Sequence, residues 1–144
     1  MKVDDILGSK GRDVATTTPD TAVIRVVERM RLQRIGALVV STDGVRVDGI
    51  VTERDVIAAV ARFGADALDL RVHHVMTKPA TMCSPDDRVR DVMVQMTNGR
   101  VRHVAVVRNG QLHGIVSIGD VVKSLLEDAD LEIRVLRDAY LGHR

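Results

Sequence analysis

An internal repeat is the feature that most constrains how this chain can fold. The segment TTTPDTAVIRVVERMRLQR, which begins at Thr16, matches the segment MCSPDDRVRDVMVQMTNGR, which begins at Met82. Pro19 aligns with Pro85, so the offset between the two copies is 66 residues (85 − 19). Because many spaced positions share this one offset, we interpret the chain as a duplication of a single structural unit.

Each copy contains the same succession of predicted elements. Apolar residues recur at the i, i+3, i+4, i+7 spacing of an amphipathic helix. They are Val23, Val26, Val27 and Met30 in the first copy, and Val89, Val92, Met93 and Met96 in the second. Strand-like runs, IGALVV and VRHVAVV, follow these helices. Asp43-Gly44 and Asn109-Gly110 then predict hairpin turns. Each copy is therefore predicted to form a β-α-β-β-α unit, which places the chain in the α+β class.

The repeat also predicts the division of the chain. We expect a first unit at residues 1–64, a connection at 65–71, a second unit at 72–128 and a C-terminal helix at 129–144. The segments VDDIL and VHHVM precede the two units, and the first unit is three residues longer there, within GSKGRD. The last segment has an apolar side (Leu125, Leu126, Leu131, Ile133, Leu136, Tyr140 and Leu141). Its alternating acids and bases favour packing within the chain or across a dimer over a membrane-surface helix.

Composition excludes several classes of protein. With 21 basic and 20 acidic residues, the chain lacks the basic excess of a dedicated nucleic-acid binder. No apolar run approaches the length of a membrane span, and the acidic N-terminus does not resemble a secretory signal. Cys83 is the only cysteine, which excludes an internal disulfide and favours a cytoplasmic protein. Phe63 and Tyr140 are the only aromatic residues besides histidine, so a planar ligand would be held mainly by aliphatic side chains.

A short signature ends the last strand of each copy. Residues 49–55 read GIVTERD and residues 114–120 read GIVSIGD. The hydroxyl and carboxylate residues fit a helix capping box. They also suit a ribose phosphate, because the start of a helix favours phosphate and an Asp carboxylate can accept from two ribose hydroxyls. Gly49 and Gly114 favour the ligand interpretation, since a missing side chain lets something approach the strand. The sequence leaves both interpretations open.

Taken together, TTTPDTAV, RIGALVV and GIVTERDVI, with TMCSPDDRV, RVRHVAVV and GIVSIGDVV, resemble a tandem pair of CBS domains, the motif named after cystathionine β-synthase. The likeness covers residues 3–126 and is closest to small stand-alone bacterial CBS-pair proteins. It implies two units packed sheet against sheet, adenosyl ligands in the clefts between the sheets, and dimerisation into a flat disc. Thr52 and Asp55, and equally Ser117 and Asp120, match the phosphate- and ribose-binding positions of the family.

The resemblance adds weaker candidates, at positions that line the base or reach the phosphates. They are Thr16, Gly36, Ala37, Arg54, Met82, Arg102 and His103. Arg102 and His103 match Gly36 and Ala37, so only one cleft would receive these cationic contacts, and the two clefts would differ. Arg102 and Arg54 could equally be solvated surface charges. Lys10 and Arg12 could touch a phosphate, although a mobile loop is the better interpretation.

No constellation in the sequence indicates catalysis. Cys83 matches Thr17 of the other copy and has no evident base, and His73-His74 lacks a partner cluster at a metal-ligand spacing. A (β/α)₈ barrel needs about 250 residues, more than this chain has. We expect a non-enzymatic energy sensor for AMP, ADP or ATP that acts through an unidentified protein target, with no catalytic cofactor or metal. NAD(H), S-adenosylmethionine and a purely structural dimerisation role remain the alternatives.

Overall fold

The computed structural model describes residues 1–142 and contains five α-helices and six strands in that range. The helices are α1 (Val3–Lys10), α2 (Val23–Gln33), α3 (Glu53–Phe63), α4 (Val89–Gly99) and α5 (Ile118–Gly142). The strands are β1 (Thr16–Thr17), β2 (Ala37–Val40), β3 (Gly49–Thr52), β4 (Met82–Cys83), β5 (His103–Arg108) and β6 (Gln111–Ser117). Two short 3₁₀ segments, Gly64–Asp69 and Val72–His74, connect the copies. The predicted α+β class is confirmed.

The strands form two three-stranded sheets with the same topology, β1-β2-β3 and β4-β5-β6. In each sheet the first pair of strands is parallel and the second pair is antiparallel. Thr16 pairs with Val39 in the first sheet, and Met82 pairs with Ala105 in the second. The 66-residue offset of the sequence is therefore preserved in the strand register.

The leading segments of the two copies are exchanged. Helix α1 packs on the second sheet, where Val3, Ile6 and Leu7 are buried among the apolar residues of α4, β5 and β6. The segment at Val72 packs into the first core, beside α2. Backbone hydrogen bonds fix both placements: Val3 N donates to Asp87 O (2.9 Å), and Val72 N donates to Thr21 O (2.8 Å). The predicted units at 1–64 and 72–128 are contiguous in sequence. In the structure, the first segment of each unit packs in the core of the other unit.

This exchange fills the space beside the two signature glycines. A Cβ atom on Gly49 would lie 2.8 Å from the carbonyl oxygen of Thr77, and a Cβ atom on Gly114 would lie 2.7 Å from Leu7 Cδ2. The sequence predicted a close approach to the strands at these glycines, and the groups that approach are Thr77 and Leu7 of the chain itself. The glycines are required by packing, so they do not support a ligand.

The two sheets pack against each other. Ala37, Ile50 and Ala80 form a small shared core against which Ile115 of the second sheet packs. The hairpins also meet, since Leu112 N donates to Val45 O (2.6 Å). The predicted sheet-against-sheet arrangement is present.

Helix α5 begins at Ile118 and continues without a break to Gly142. The predicted C-terminal helix is therefore the far half of the last helix of the second copy, and residues 143–144 of that prediction lie outside the described residues. Only the start of α5 is anchored in the core, through Val121 and Ser124. Across residues 1–142, no helix combines the length and apolar character that crossing a bilayer would require.

Candidate functional site

The first strand-to-helix junction, between β3 and α3, is closed by a complete capping box. Thr52 N donates to Asp55 Oδ2 (2.9 Å), and Asp55 N donates to Thr52 Oγ1 (3.3 Å). The other carboxylate oxygen of Asp55 accepts from Thr77 Oγ1 (2.9 Å). The capping interpretation is thus correct at this junction, and only hydroxyl groups and a backbone N–H hold the carboxylate.

The second junction, between β6 and α5, has the same cap but a different partner. Ser117 N donates to Asp120 Oδ2 (2.8 Å), and Asp120 N donates to Ser117 Oγ (3.2 Å). Here Lys10 Nζ lies 2.6 Å from Asp120 Oδ2 and also donates to Ile115 O (2.9 Å). The ammonium group therefore occupies the carboxylate that the sequence assigned to a ribose. Lys10 is the last residue of α1, so the interpretation of its segment as a mobile loop is wrong.

The first N–H groups of both helices are already in use. Glu53 N donates to Gly36 O (3.1 Å), and Ile118 N donates to Arg102 O (2.8 Å). With Asp55 N and Asp120 N held by their caps, the exposed helix starts offer less to a phosphate than the sequence suggested. Side chains must supply most of the contacts to an anion.

A cleft of about 390 Å³ lies at the first junction and reaches across to the second copy. This size falls within the usual range for small-molecule sites, about 300–1,000 Å³. The structure brings six of the predicted site residues to its walls: Gly36, Thr52, Arg54, Asp55, Arg102 and His103. The cleft is therefore built from the β3–α3 junction of one copy and the segment before β5 of the other.

Four polar residues of this cleft were missed by sequence reasoning: Glu53, Thr77, Thr81 and Arg100. Thr77 follows the exchanged segment, whose position cannot be read from periodicity. Thr81 immediately precedes Met82, the residue of β4 that the sequence predicted as part of the site. Arg100 aligns with Arg34 at the 66-residue offset of the repeat, and both adopt the left-handed conformation after their helices (φ 52° and 54°). That helix-ending position was the one signal available for Arg100.

The remaining predicted residues lie elsewhere. Thr16 is in β1, where its carbonyl oxygen accepts from Arg29, and Ala37 is buried in the core between the sheets. Met82 lines a separate open groove of about 700 Å³ between the two hairpins. Ser117 and Asp120 form the second junction, outside the walls of the first cleft. The predicted set is therefore divided among five places: the first cleft, β1, the core between the sheets, the groove between the hairpins and the second junction.

The first cleft is lined by both basic and acidic side chains. Arg54, Arg100, Arg102 and His103 line it together with Glu53 and Asp55. Arg54 Nη1 donates to Arg100 O (3.3 Å), so one guanidinium already bridges the two copies. Burial, reinforced by the positive charge of Lys10, lowers the pKa of His103 below its usual value. His103 is therefore a neutral hydrogen-bonding group at pH 7, and the arginines carry the positive charge.

The carboxyl of Asp120 has an altered pKa as well. Burial disfavours its charged form, but the hydrogen bond and charge of Lys10 and the hydrogen bond from Ser117 outweigh burial, so the pKa lies below its usual value. By contrast, burial raises the pKa of the Cys83 thiol to about 12, which keeps it protonated and unreactive at neutral pH. Within residues 1–142, no three His, Cys, Asp or Glu side chains are grouped closely enough to hold a metal ion.

Comparison with known proteins gives one consistent result. The family model for the CBS domain matches residues 3–62 and again residues 72–127. A CBS-domain containing protein from Agrobacterium tumefaciens is 47% identical, with a TM-score of 0.81 over 85% of this chain and 91% of that one.

Two further relatives span a wide range of organisms. A CBS domain protein from Pyrobaculum aerophilum, solved in complex with AMP, is 28% identical, with a TM-score of 0.73 over 83% of this chain and 89% of that one. A mitochondrial CBS domain-containing protein of Arabidopsis thaliana, CBSX3, is 31% identical over 96% of this chain and 71% of its own length. The duplicated unit, the paired sheets and these matches show that the chain belongs to the CBS domain family, as a tandem pair.

Proposed function

We propose that this protein is a non-enzymatic regulatory sensor that binds an adenine nucleotide in the first cleft. CBS-pair proteins are regulatory modules, and an AMP complex exists for the Pyrobaculum relative. The observation that carries the proposal is the cleft itself, where the Thr52–Asp55 junction faces Arg100, Arg102 and His103 of the other copy. A ligand there would contact both copies at once.

Each wall of the cleft suits one part of a nucleotide. Asp55 can exchange its hydrogen bond from Thr77 for bonds from the ribose hydroxyls, since a carboxylate accepts several donors. The guanidinium groups of Arg54, Arg100 and Arg102 suit the phosphates, because their planar donor fork matches phosphate oxygens. Ile50 and Val101 offer an apolar surface to the base. The ligand class is therefore AMP, ADP or ATP, with NAD(H) or S-adenosylmethionine as the alternatives.

The second junction is a poorer site. A ribose at Asp120 would have to displace Lys10, whose ammonium lies 2.6 Å from the carboxylate. Breaking a partly buried ion pair of this kind would weaken binding at the second junction, whereas no ion pair has to be broken at Asp55 in the first cleft. We therefore expect one nucleotide per chain, at the first junction.

Signalling would follow from linkage. A nucleotide that binds one arrangement of the two copies more tightly than another shifts the protein toward that arrangement. Apolar residues at equivalent places, Ile57 on α3 and Val122 on α5, are exposed and suit a disc-like homodimer. The dimer would present the altered surface to a downstream protein.

Isothermal titration calorimetry with AMP, ATP and NAD tests this proposal. The two carboxylates provide a pair of variants, because Asp55→Ala and Asp120→Ala each remove one capping box, worth about 1 kcal/mol of stability. Asp120→Ala also removes the ion-pair partner of Lys10. We expect Asp55→Ala to weaken nucleotide binding at least tenfold and Asp120→Ala to leave it nearly unchanged. Equal effects of both variants, or no binding by the parent protein, would favour the purely structural module. Nucleotide turnover by the parent protein would contradict a non-enzymatic role.

A further inference from the structure

The far half of α5 leaves the body of the protein with large apolar side chains exposed. Val121 and Ser124 are the last buried residues of the helix, and α5 then continues to Gly142. Beyond this anchor, Leu126, Ile133 and Leu136 expose 61%, 53% and 70% of their surface. Residues 129–142 are all exposed, whereas most helical stability in proteins comes from the packing of an apolar helix face, so this half of α5 calls for a packing partner.

Four of the apolar residues follow the spacing of a two-helix seam, whereas Leu131, Val135 and Leu141 lie outside it. Leu126, Ala129, Ile133 and Leu136 are separated by three, four and three residues, and the row continues at Tyr140. Such alternation has a mean period of 3.5 residues, which keeps one face of a helix against a second helix along its length. We call these four residues the α5 seam. In heptad terms, Leu126 and Ile133 occupy a positions, and Ala129 and Leu136 occupy d positions.

The charges beside the seam identify the partner. Glu132 takes the g position before Ile133, and Arg137 takes the e position after Leu136. In a parallel pair of identical helices, each g residue faces the e residue five places further along the other helix. Glu132 of one chain would then face Arg137 of the other chain, and this contact would occur twice in each pair of helices. Within one helix these residues, five apart, do not lie on a common face.

We propose that the far half of α5 binds the same segment of a second copy of this chain as a parallel two-stranded coiled coil. The seam is self-complementary in both shape and charge, which favours a second copy over an unrelated partner. It spans fewer than the three to four heptads of a free-standing coiled coil, so the anchored start of α5 must help to hold the helices in place. None of the seam residues lines the first cleft, so the pairing does not rest on the proposed nucleotide site.

A charge exchange tests the orientation and the partner together. Arg137→Glu places like charges opposite Glu132 of the other copy, and we expect the dimer dissociation constant to rise about three- to tenfold at low salt. The double variant Glu132→Arg with Arg137→Glu restores opposite charges and should return the constant to the parent value. Sedimentation equilibrium over a range of protein concentrations measures all three proteins. A double variant no better than the single one overturns the parallel arrangement.

A cross-linking experiment tests the seam even where other surfaces also associate. Ala129→Cys places a thiol at a d position, where it lies next to the same thiol of the second chain in a parallel pair. Glu127→Cys places a thiol on the outer face of the helix. Under mild oxidation with copper phenanthroline, we expect a cross-linked dimer for Ala129→Cys and little for Glu127→Cys. Native Cys83 is buried, and the parent protein, which contains only this cysteine, gives the background level of cross-linking. Equal cross-linking of both variants, or none of Ala129→Cys, overturns the proposal.

A matched pair of aspartate substitutions completes the test. Ile133 lies in the seam and Leu131 on the opposite side of the helix, with 53% and 59% of their surfaces exposed. On the Ala129→Cys background, Ile133→Asp should abolish the cross-link because it buries a charge, and Leu131→Asp should preserve it. The same response from both would contradict the seam.

Discussion

At the scale of single residues, the two copies use the same carboxylate differently. Asp55 accepts from Thr77 and its capping partner, whereas Asp120 is paired with Lys10. The side chains of Lys10 and Asp120 are only 35% and 23% exposed, so this ion pair is less screened by solvent than a surface pair. One lysine at the end of α1 therefore distinguishes two junctions that share the same capping box.

Replacing Lys10 should open the second junction. In Lys10→Met the ammonium is lost while the aliphatic stem is retained, so Asp120 becomes available to a ribose. We expect the stoichiometry of AMP binding, measured by calorimetry, to rise from one toward two per chain. Arg12→Met is the control, because Arg12 contacts Asp4 and His113 in the same region but not Asp120. A stoichiometry of two in the parent protein would contradict the inequality of the two junctions.

The same ion pair should make stability depend on pH. The pKa of Asp120 is lowered in the folded protein, so the pair contributes stability above the unfolded pKa of about 3.9. That contribution is lost as the pH falls through the lower folded pKa. Urea unfolding should show the parent protein more stable than Lys10→Met at pH 7, with the difference shrinking below about pH 4. A difference that stays constant or grows in acid would show that Lys10 acts through packing alone.

At the scale of elements, exchanged segments hold the two copies together. Helix α1 completes the core of the second sheet, and the segment at Val72 completes the core of the first. Neither sheet is fully covered by its own contiguous stretch of sequence. Rearrangement between the copies must therefore carry these segments with it.

Helix α1 should be essential to the second copy. Leu7 is 1% exposed, and Leu7→Ala leaves a cavity against the second sheet that should cost about 2–5 kcal/mol of unfolding free energy. Leu32→Ala, at a leucine that is 81% exposed, should change stability by less than about 0.5 kcal/mol. Urea denaturation compares the two, and similar small losses would contradict the packing of α1.

Two glycines of similar chemistry should respond oppositely to alanine. Gly49→Ala forces a Cβ atom to within 2.8 Å of a backbone oxygen and should destabilise the protein by about 1–3 kcal/mol. Gly8 is in the interior of α1 with no atom within 4 Å of an added Cβ, so Gly8→Ala should stabilise by about 0.5–1 kcal/mol. Thermal unfolding measures both changes, and a gain from Gly49→Ala would refute the close approach at β3.

At the scale of the whole molecule, the repeat offset was enough to predict two similar sheets and their helices. Periodicity identifies the buried face of an element but not what covers it, so the exchange of α1 could not be predicted. The same limit applies to the cleft: Thr52 and Asp55 were found through the repeated signature and Arg102 through the family resemblance, whereas Thr77 comes from an exchanged segment. Lys10 lies within GSKGRD, the segment that contains the three extra residues of the first copy, so alignment of the repeats gave it no partner.

The central claim is that a nucleotide lies between the copies at the first junction, and a crystal structure of the protein grown with AMP tests it most directly. We expect the ribose at Asp55 and the phosphate near Arg102 and His103, with the Lys10–Asp120 pair intact. AMP bound instead in the groove beside Met82, or an empty first cleft in crystals grown with saturating AMP, would contradict the account.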